Sequence, residues 1–339
     1  MKEYTGKRVV VFGATGGVGA YLSLYLADKG YQVLAVGRRD NDNGFFIENG
    51  IQYYSADITE QSRLLSLPTD DIYAIIHLAG CLPASMKVYN PQDYIDHNVS
   101  GTIKVLEYAV KCKVKRFVFP TTQSDVSYLW GSLNPIPADA ERRYPENTDH
   151  SVYAISKNAA VSLVQHYSTV ANFKSFIIRF ANIFLWHPNP YYYVDCIKTK
   201  KGLYSIIEEA IKGEDIELWG DPRRVRDIFY VKDCIRMMER CLSSNSKGGI
   251  FNVGTGKAIS RLEQVQGIID VFCSKEKKST IIHCPEKPDS PQIIFDISMN
   301  TPELGFEPMY DYLSFLKDFK REMVLNRFEK LWGRPEDYK

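Results

Sequence analysis

Tyr153 and Lys157 stand four residues apart in Tyr153-Ala154-Ile155-Ser156-Lys157. Apolar residues recurring at three and four from Val152 to Ala171 predict a helix there, so both side chains fall on one face. A phenol of ordinary pKa, about 10, is a poor base at neutral pH, and a neighbouring ammonium lowers that value by favouring phenolate. The pair therefore reads as a general acid/base and the cation that tunes it. Thr121 and Thr122 follow an apolar run, Arg116 to Phe119. In a doubly wound sheet that position is the carboxyl edge, where ligands bind.

A second constellation, Gly13-Ala14-Thr15-Gly16-Gly17-Val18-Gly19, follows the first apolar run and opens a helical pattern. Its GxxGxxG spacing supplies backbone that turns tightly and approaches a pyrophosphate, with free N–H groups at the helix start. The next strand should end in a group that reads the adenosine ribose: an acid for a free 2′-hydroxyl, a basic residue for a 2′-phosphate. Gly37 holds the acid position, and Arg38 and Arg39 follow it, with Asp40 next. Arginine's planar fork suits a phosphate. The expectation is NADP(H) in preference to NAD(H), which Asp40 leaves open. Asp57, followed by Ile58, is placed to meet the adenine amino group or to cap its own loop.

These groups need elements to position them. Arg8 to Phe12, Tyr31 to Val36, Tyr73 to Leu78, Arg116 to Phe119 and Ser175 to Phe180 read as buried strands, and Val18 to Lys29, Tyr94 to Cys112 and Val152 to Ala171 as helices. Strands alternating with helices imply a parallel sheet covered on both faces, a doubly wound (Rossmann) α/β fold. After Phe180 the rhythm breaks into an aromatic, proline-bearing stretch, Leu185 to Tyr193. A helix near Leu203 to Lys212 and a strand at Glu217 to Trp219 follow. Strands at Ile228 to Val231 and Ile250 to Val253 and a helix from Tyr310 to Phe328 close the chain. The expected division is residues 1–180 with 225–256 as dinucleotide-binding domain, and 181–224 with 257–339 as a smaller α/β substrate domain.

The chain has 339 residues, 45% hydrophobic and 24% charged, with net charge +1 from 42 basic and 41 acidic residues. That length suits two domains, and that balance suggests neither a nucleic acid nor an anionic membrane as partner. Seven dispersed cysteines without a CxxC pair fit neither a disulfide framework nor a metal site. With no signal-peptide pattern at the N-terminus and no membrane-length apolar window, the expected location is cytoplasmic.

Several further motifs appear in order: His77-Leu78-Ala79-Gly80, Asn98-Val99-Ser100-Gly101-Thr102, Phe117-Val118-Phe119-Pro120-Thr121-Thr122, Arg179-Phe180-Ala181-Asn182, Arg226-Asp227-Ile228-Phe229, Phe251-Asn252-Val253-Gly254 and Glu303-Leu304-Gly305-Phe306. Together with the glycine loop and YxxxK, the chain resembles the extended short-chain dehydrogenase/reductase family, in its nucleotide-sugar epimerase, dehydratase and reductase branch, almost end to end. The resemblance implies that Tyr153 is the acid/base at a sugar oxygen, that Thr122 bonds the same oxygen, and that Lys157 holds the nicotinamide ribose. Cofactor contacts would come from Gly13, Thr15, Gly16, Gly17, Val18, Gly19, Arg38, Arg39, Asp57, Ile58, Leu78, Ala79, Gly80 and Asn98, besides Tyr153 and Lys157. Asn182 and Arg226, with Thr122, would hold a nucleoside-diphosphate sugar, and relatives imply a homodimer through the Tyr94–Cys112 and Val152–Ala171 helices.

Departures narrow the reading. Dehydratases of the family carry an Asp-Glu pair after the catalytic Thr; here Gln123 and Ser124 stand there, with Asp125 one place late. Gln123 also replaces the cysteine of the fucose-forming reductases, and Leu185-Trp186 replaces a usual Gly-Pro. The sequence leans to an NADPH-dependent 4-keto reductase acting at C4 of the sugar. An NAD-dependent 4-epimerase is the alternative and a catalytically silent cofactor-binding scaffold the remoter one.

Overall fold

A computed structural model describes residues 6–144 and 150–338. Residues 1–5, part of the N-terminal reading, and 145–149, within the Thr122–Tyr153 loop, lie outside the described residues. Six strands, β1 (Arg8–Phe12), β2 (Gln32–Gly37), β3 (Gln52–Ser55), β4 (Ile72–His77), β5 (Arg116–Thr122) and β6 (Lys174–Phe180), join a seventh, Gly249–Asn252. The order across the sheet is Gly249–Asn252, β6, β5, β4, β1, β2, β3. Every pairing in it is parallel. Strands such as Val9-Val10-Val11 are apolar without alternation because both sheet faces are covered. Val9, Val11, Ala74, Ile76 and Ile178 pack on one side. Val10, Phe12, Ile75, Phe117 and Ile177 pack on the other. The chain runs outward from β1 to β3 and then crosses back to β4, so the strand order reverses between β1 and β4. That crevice lies at the carboxyl ends of the strands.

Local sequence explains most boundaries. The helix α1 (Gly17–Asp28) starts directly from the glycine loop, and Gly30, at φ 84°, turns the chain into β2. Pro120 lies inside β5, yet β4 pairs with β5 only as far as Val118. A residue without an N–H is thus tolerated where the ladder has already opened toward the crevice. The expected Tyr94–Cys112 helix is divided: Pro91–Tyr94, a π-helical turn over Ile95–Gly101, then Thr102–Lys111. Such widened turns mark functional positions in helices, and Asn98 sits in this one. The long Ser151–Ala171 helix ends at Asn172 in the left-handed region, φ 54°.

Beyond β6, four two-stranded sheets assemble. The expected strand at Ile228 to Val231 is reduced to Phe229–Tyr230 and pairs with Ile183–Phe184 outside the main sheet, because Val231 already begins the Val231–Ser243 helix. The expected strand at Ile250 to Val253 does join the main sheet, as Gly249–Asn252. The last long helix covers Tyr312–Leu325, ending at left-handed Asn326, and a short Glu329–Trp332 helix follows.

Arg179 in β6 fastens the carboxyl edge. Its buried guanidinium donates to Asp125 Oδ1 at 2.8 Å, Asn252 Oδ1 at 2.8 Å and the Ala138 carbonyl at 3.0 Å. Asn252 in turn donates to the carbonyls of Ile136 and Asp296 at 2.9 and 3.1 Å. Burial raises the Asp125 pKa, and Arg179 opposes that rise. Removing one partner of a buried pair strands the other charge. Arg179→Met is therefore expected to lower unfolding stability by about 3–5 kcal/mol in urea titration, with Asp125→Leu in the same chain restoring much of it. A loss close to that of an exposed ion pair, about 0–1 kcal/mol, would contradict this assignment.

Candidate active site

The glycine loop crosses the crevice at its narrowest point. Gly13 has φ 82°, and a Cβ there would stand 2.7 Å from the Ala79 nitrogen and 2.8 Å from the Leu78 carbonyl carbon. Gly19 is equally constrained, since its Cβ would meet the Gly13 oxygen at 2.1 Å. Gly13 N donates to Val36 O at 2.9 Å and Gly16 N to Gly13 O at 3.0 Å, which closes the turn. Gly16 is the N-cap of α1, no side chain caps the helix and its first turn carries no acid. Uncapped amides at the start of a 12-residue helix suit the pyrophosphate of a dinucleotide. Val18 turns into the core.

At the adenosine end the predicted residues divide. Arg38 is exposed, and its charge helps lower the Asp57 carboxyl. Burial raises that carboxyl, and two hydrogen bonds from Thr59, both 2.8 Å to Oδ1, more than offset it. Asp57 thus caps its own loop, and Ile58 beside it is buried against Gly101. Arg39 turns away from β2 to donate to the Leu331 carbonyl. Gly37 has no room for a side chain: a Cβ would stand 2.8 Å from Thr15 Cγ2. A side chain there would have to displace the Thr15 and Tyr53 side chains.

The C-terminal segment and the stretch after β6 pack against this loop at Thr15 and Gly17, while Gly16 stays exposed. Trp332 donates its indole N–H to the Thr15 carbonyl at 3.0 Å and stacks on His187, ring centroids 4.4 Å apart. Leu185 packs over Gly17, 3.2 Å from where its Cβ would be. Asn43 donates to the Lys330 carbonyl at 2.8 Å.

At the nicotinamide end, Thr122, Tyr153 and Lys157 are all buried. Burial pushes the Tyr153 phenol up to about 12, and a hydrogen bond with Thr122 acts against that rise. Burial brings Lys157 down to about 7. Its ammonium lies over the Phe119 ring, 4.0 Å from the centroid. Desolvation is the largest influence on both groups. Asn98 anchors the facing loop, accepting from Cys81 N at 2.8 Å and donating to Cys81 O at 3.1 Å and Ser156 Oγ at 3.0 Å. Gly80 is held against it: a Cβ there would stand 2.6 Å from Asn98 Oδ1. His77 bonds Thr102 at 3.1 Å, and burial lowers it to about 3, a neutral packing residue.

The edge continues toward a second cleft. Gln123 donates to Asn182 Oδ1 at 3.3 Å, joining the catalytic loop to the start of the Ile183–Phe184 strand. Phe184 lines an open cleft with Leu203, Ile206, Arg226, Ile228 and Arg261. Asp125, the one acid near the family's dehydratase position, is committed to Arg179 and fully buried. Sequence reasoning did not find Leu185's contact, Trp332 or Arg261. Only Arg261 leaves a trace, a cation in the first turn after the Ser260/Glu263 capping box.

Two outcomes follow. The unfolded chain holds the Lys157 proton up to its ordinary 10.5, the folded protein only to about 7. Between these values the unfolded state binds more protons, so the cofactor-free protein should gain stability as pH rises through that window, and Lys157→Met should flatten the gain in melting curves at several pH values. Arg38→Ala should weaken NADPH relative to NADH by about tenfold or more, an effect of one lost phosphate contact. Arg39→Ala should chiefly lower Tm, and equal effects of the two variants on cofactor choice would contradict the geometry.

Comparison with known proteins places these features. Residues 9–254 match the model of the NAD dependent epimerase/dehydratase family. UDP-glucose 4-epimerase 4 of Oryza sativa subsp. japonica is 26% identical over 319 residues, 86% of this chain and 83% of that protein. The crystal structure of Thermotoga maritima UDP-glucose 4-epimerase with UDP-glucose superposes with TM-score 0.73 at 22% identity, covering 94% of this chain and 99% of that one. Bacillus cereus UDP-glucuronic acid 4-epimerase in complex with NAD gives 0.69 at 21%, covering 93% and 97%. Both structures share the fold. Its glycine loop, parallel sheet and matched length identify the chain as a member of the NAD dependent epimerase/dehydratase family.

Proposed function

We propose that the protein is a nucleoside-diphosphate-sugar 4-epimerase that keeps its nicotinamide cofactor bound through turnover. The observation that carries this reading is that two distant segments are tied to the glycine loop, Leu185 packing against Gly17 and Trp332 donating to the Thr15 carbonyl. An epimerase takes a hydride from C4 and returns it to the other face, so its cofactor need not leave. The rice and Thermotoga relatives bear the name UDP-glucose 4-epimerase, which supports the same side.

Bound in this cradle, the nicotinamide supplies a hydride acceptor and donor. The protein supplies the rest. Tyr153 exchanges a proton with the C4 oxygen, and Thr122 holds that oxygen in line. At about 12 the phenol is protonated in the free site, so it acts as a base only when positive charge is brought beside it. Lys157, brought down to about 7 by burial, would hold the nicotinamide ribose and, when protonated, supply that charge. Asn182 and Arg226 would anchor the diphosphate, leaving the keto sugar to present either face. Asp125 is not free to serve a 4,6-dehydration, because it is bound to Arg179.

A second reading, an NADPH-dependent 4-keto reductase, is favoured by one observation: β2 ends in Gly37 and exposed Arg38, without an acid. The two separate cleanly. UDP-glucose and UDP-glucuronic acid labelled with deuterium at C4, incubated without added cofactor, should yield C4 epimers that keep the label. Tyr153→Phe should lower kcat by about 10²–10⁴ while cofactor binding persists. Consumption of a 4-keto sugar only with added NADPH, and no epimer, would establish the reductase instead.

A further inference from the structure

Three arginines, Arg224, Arg226 and Arg261, gather at one corner of the substrate cleft. Their placement follows from a two-stranded antiparallel ladder in which Val225 faces Ser260, Arg226 faces Ile259 and Asp227 faces Ala258. Arg261 N continues the ladder by donating to the Arg224 carbonyl at 2.8 Å. Arg226 and Arg261 are therefore diagonal neighbours across strands, close enough for long side chains to share a ligand.

Only one of the three is neutralised. Arg224 pairs with Asp289 at 2.7 Å. Among the described residues neither Arg226 nor Arg261 has an ion pair: Arg226 donates to the Pro291 carbonyl at 3.2 Å, and Arg261 to Gln264 Oε1 at 3.4 Å. Both line the cleft that also holds Leu203 and Ile228. Arg226 loses solvent there and lies in the field of the Arg261 charge, which the Asp289 carboxylate at the same corner opposes. Arg261 is further misplaced by convention, since it stands in the first turn of the Arg261–Phe272 helix, where the macrodipole disfavours a cation. The helix's own amides are served by the Ser260/Glu263 capping box, so the guanidinium is not needed as a cap.

We infer that Arg261 joins Arg226 in clamping the diphosphate of the nucleotide substrate, one guanidinium on each phosphate, with the apolar wall of the cleft left for the rest of the nucleotide. This rests on the nucleoside-diphosphate-sugar reading above and adds a binding residue to it. Two like charges facing one cleft are relieved when a ligand of charge about −2 enters, and each charge-assisted contact is strong. The clamp reads phosphate number: UDP engages both arginines, UMP one, uridine neither.

Isothermal titration of the full-length protein with UDP, UMP, uridine and inorganic pyrophosphate tests it. Arg261→Gln should weaken UDP and pyrophosphate by about ten- to a hundredfold, UMP less, and uridine by under about threefold. Arg261→Lys, which keeps the charge, should recover part of the loss, and Tm should stay at the wild-type value. If wild type binds UDP and Arg261→Gln binds it equally well, or loses uridine in step with UDP, the clamp is wrong and the nucleotide-sugar reading stands. If wild type binds pyrophosphate through Arg261 but no UDP, the clamp stands and that reading falls. Binding of neither ligand to wild type overturns both.

Discussion

The geometry hinges on the space a side chain would take at Gly13. Its backbone passes so near the loop after β4 that a Cβ would stand 2.7 Å from the Ala79 nitrogen. That approach is what places the open start of α1 and the loop after β4 on either side of one crevice. Gly19 then lets the first turn of α1 close over the Gly13 carbonyl, and Gly37 leaves room for Thr15. Because the sheet is parallel, every loop that carries chemistry emerges at this same edge: Leu78–Gly80, Thr122–Gln123 and Asn182. A larger residue at Gly13 would pry the crevice open for all of them.

Along that edge the protein separates groups that are satisfied from groups that are not. Arg179 and Asp125 neutralise each other in the core, and Asn98 spends its amide on Cys81 and Ser156. Lys157, Tyr153, Arg226 and Arg261 carry the opposite condition. Burial displaces the first two from their ordinary titration ranges, and the last two crowd like charges into one cleft. Sites for charged cofactors and substrates are where such arrangements collect. The cost is borne by the well-packed sheet beneath, whose central strands are buried on both faces.

The parallel sheet was legible because its strands are unbroken apolar runs, and the glycine loop because it sits between such a run and a helical pattern. Spacing and strand position also singled out Tyr153, Lys157 and Thr122, all three of which are buried. Other features were not legible. The π-helical turn at Asn98 depends on a side chain reaching the Cys81 backbone, a contact 17 positions distant in sequence. Arg39 reads as a phosphate ligand until the Leu331 carbonyl, 292 positions away, claims it. Trp332 stands four residues after Phe328, a spacing that reads as local packing and does not reveal that it crosses to Thr15. The lowered Lys157 and raised Tyr153 follow from desolvation, which spacing does not report. Local chemistry can be read from order along the chain, whereas these contacts arise only when distant segments meet.

Retention of the cofactor is the central claim, and the nucleotide carried by the protein tests it most directly. Freshly purified protein should be denatured and the released nucleotide identified and counted by chromatography. The account predicts NAD in near-equal amount to protein. Protein that emerges empty and then binds NADPH better than NADH would contradict it, and would mean that Arg38 recruits a cofactor exchanged at each turnover.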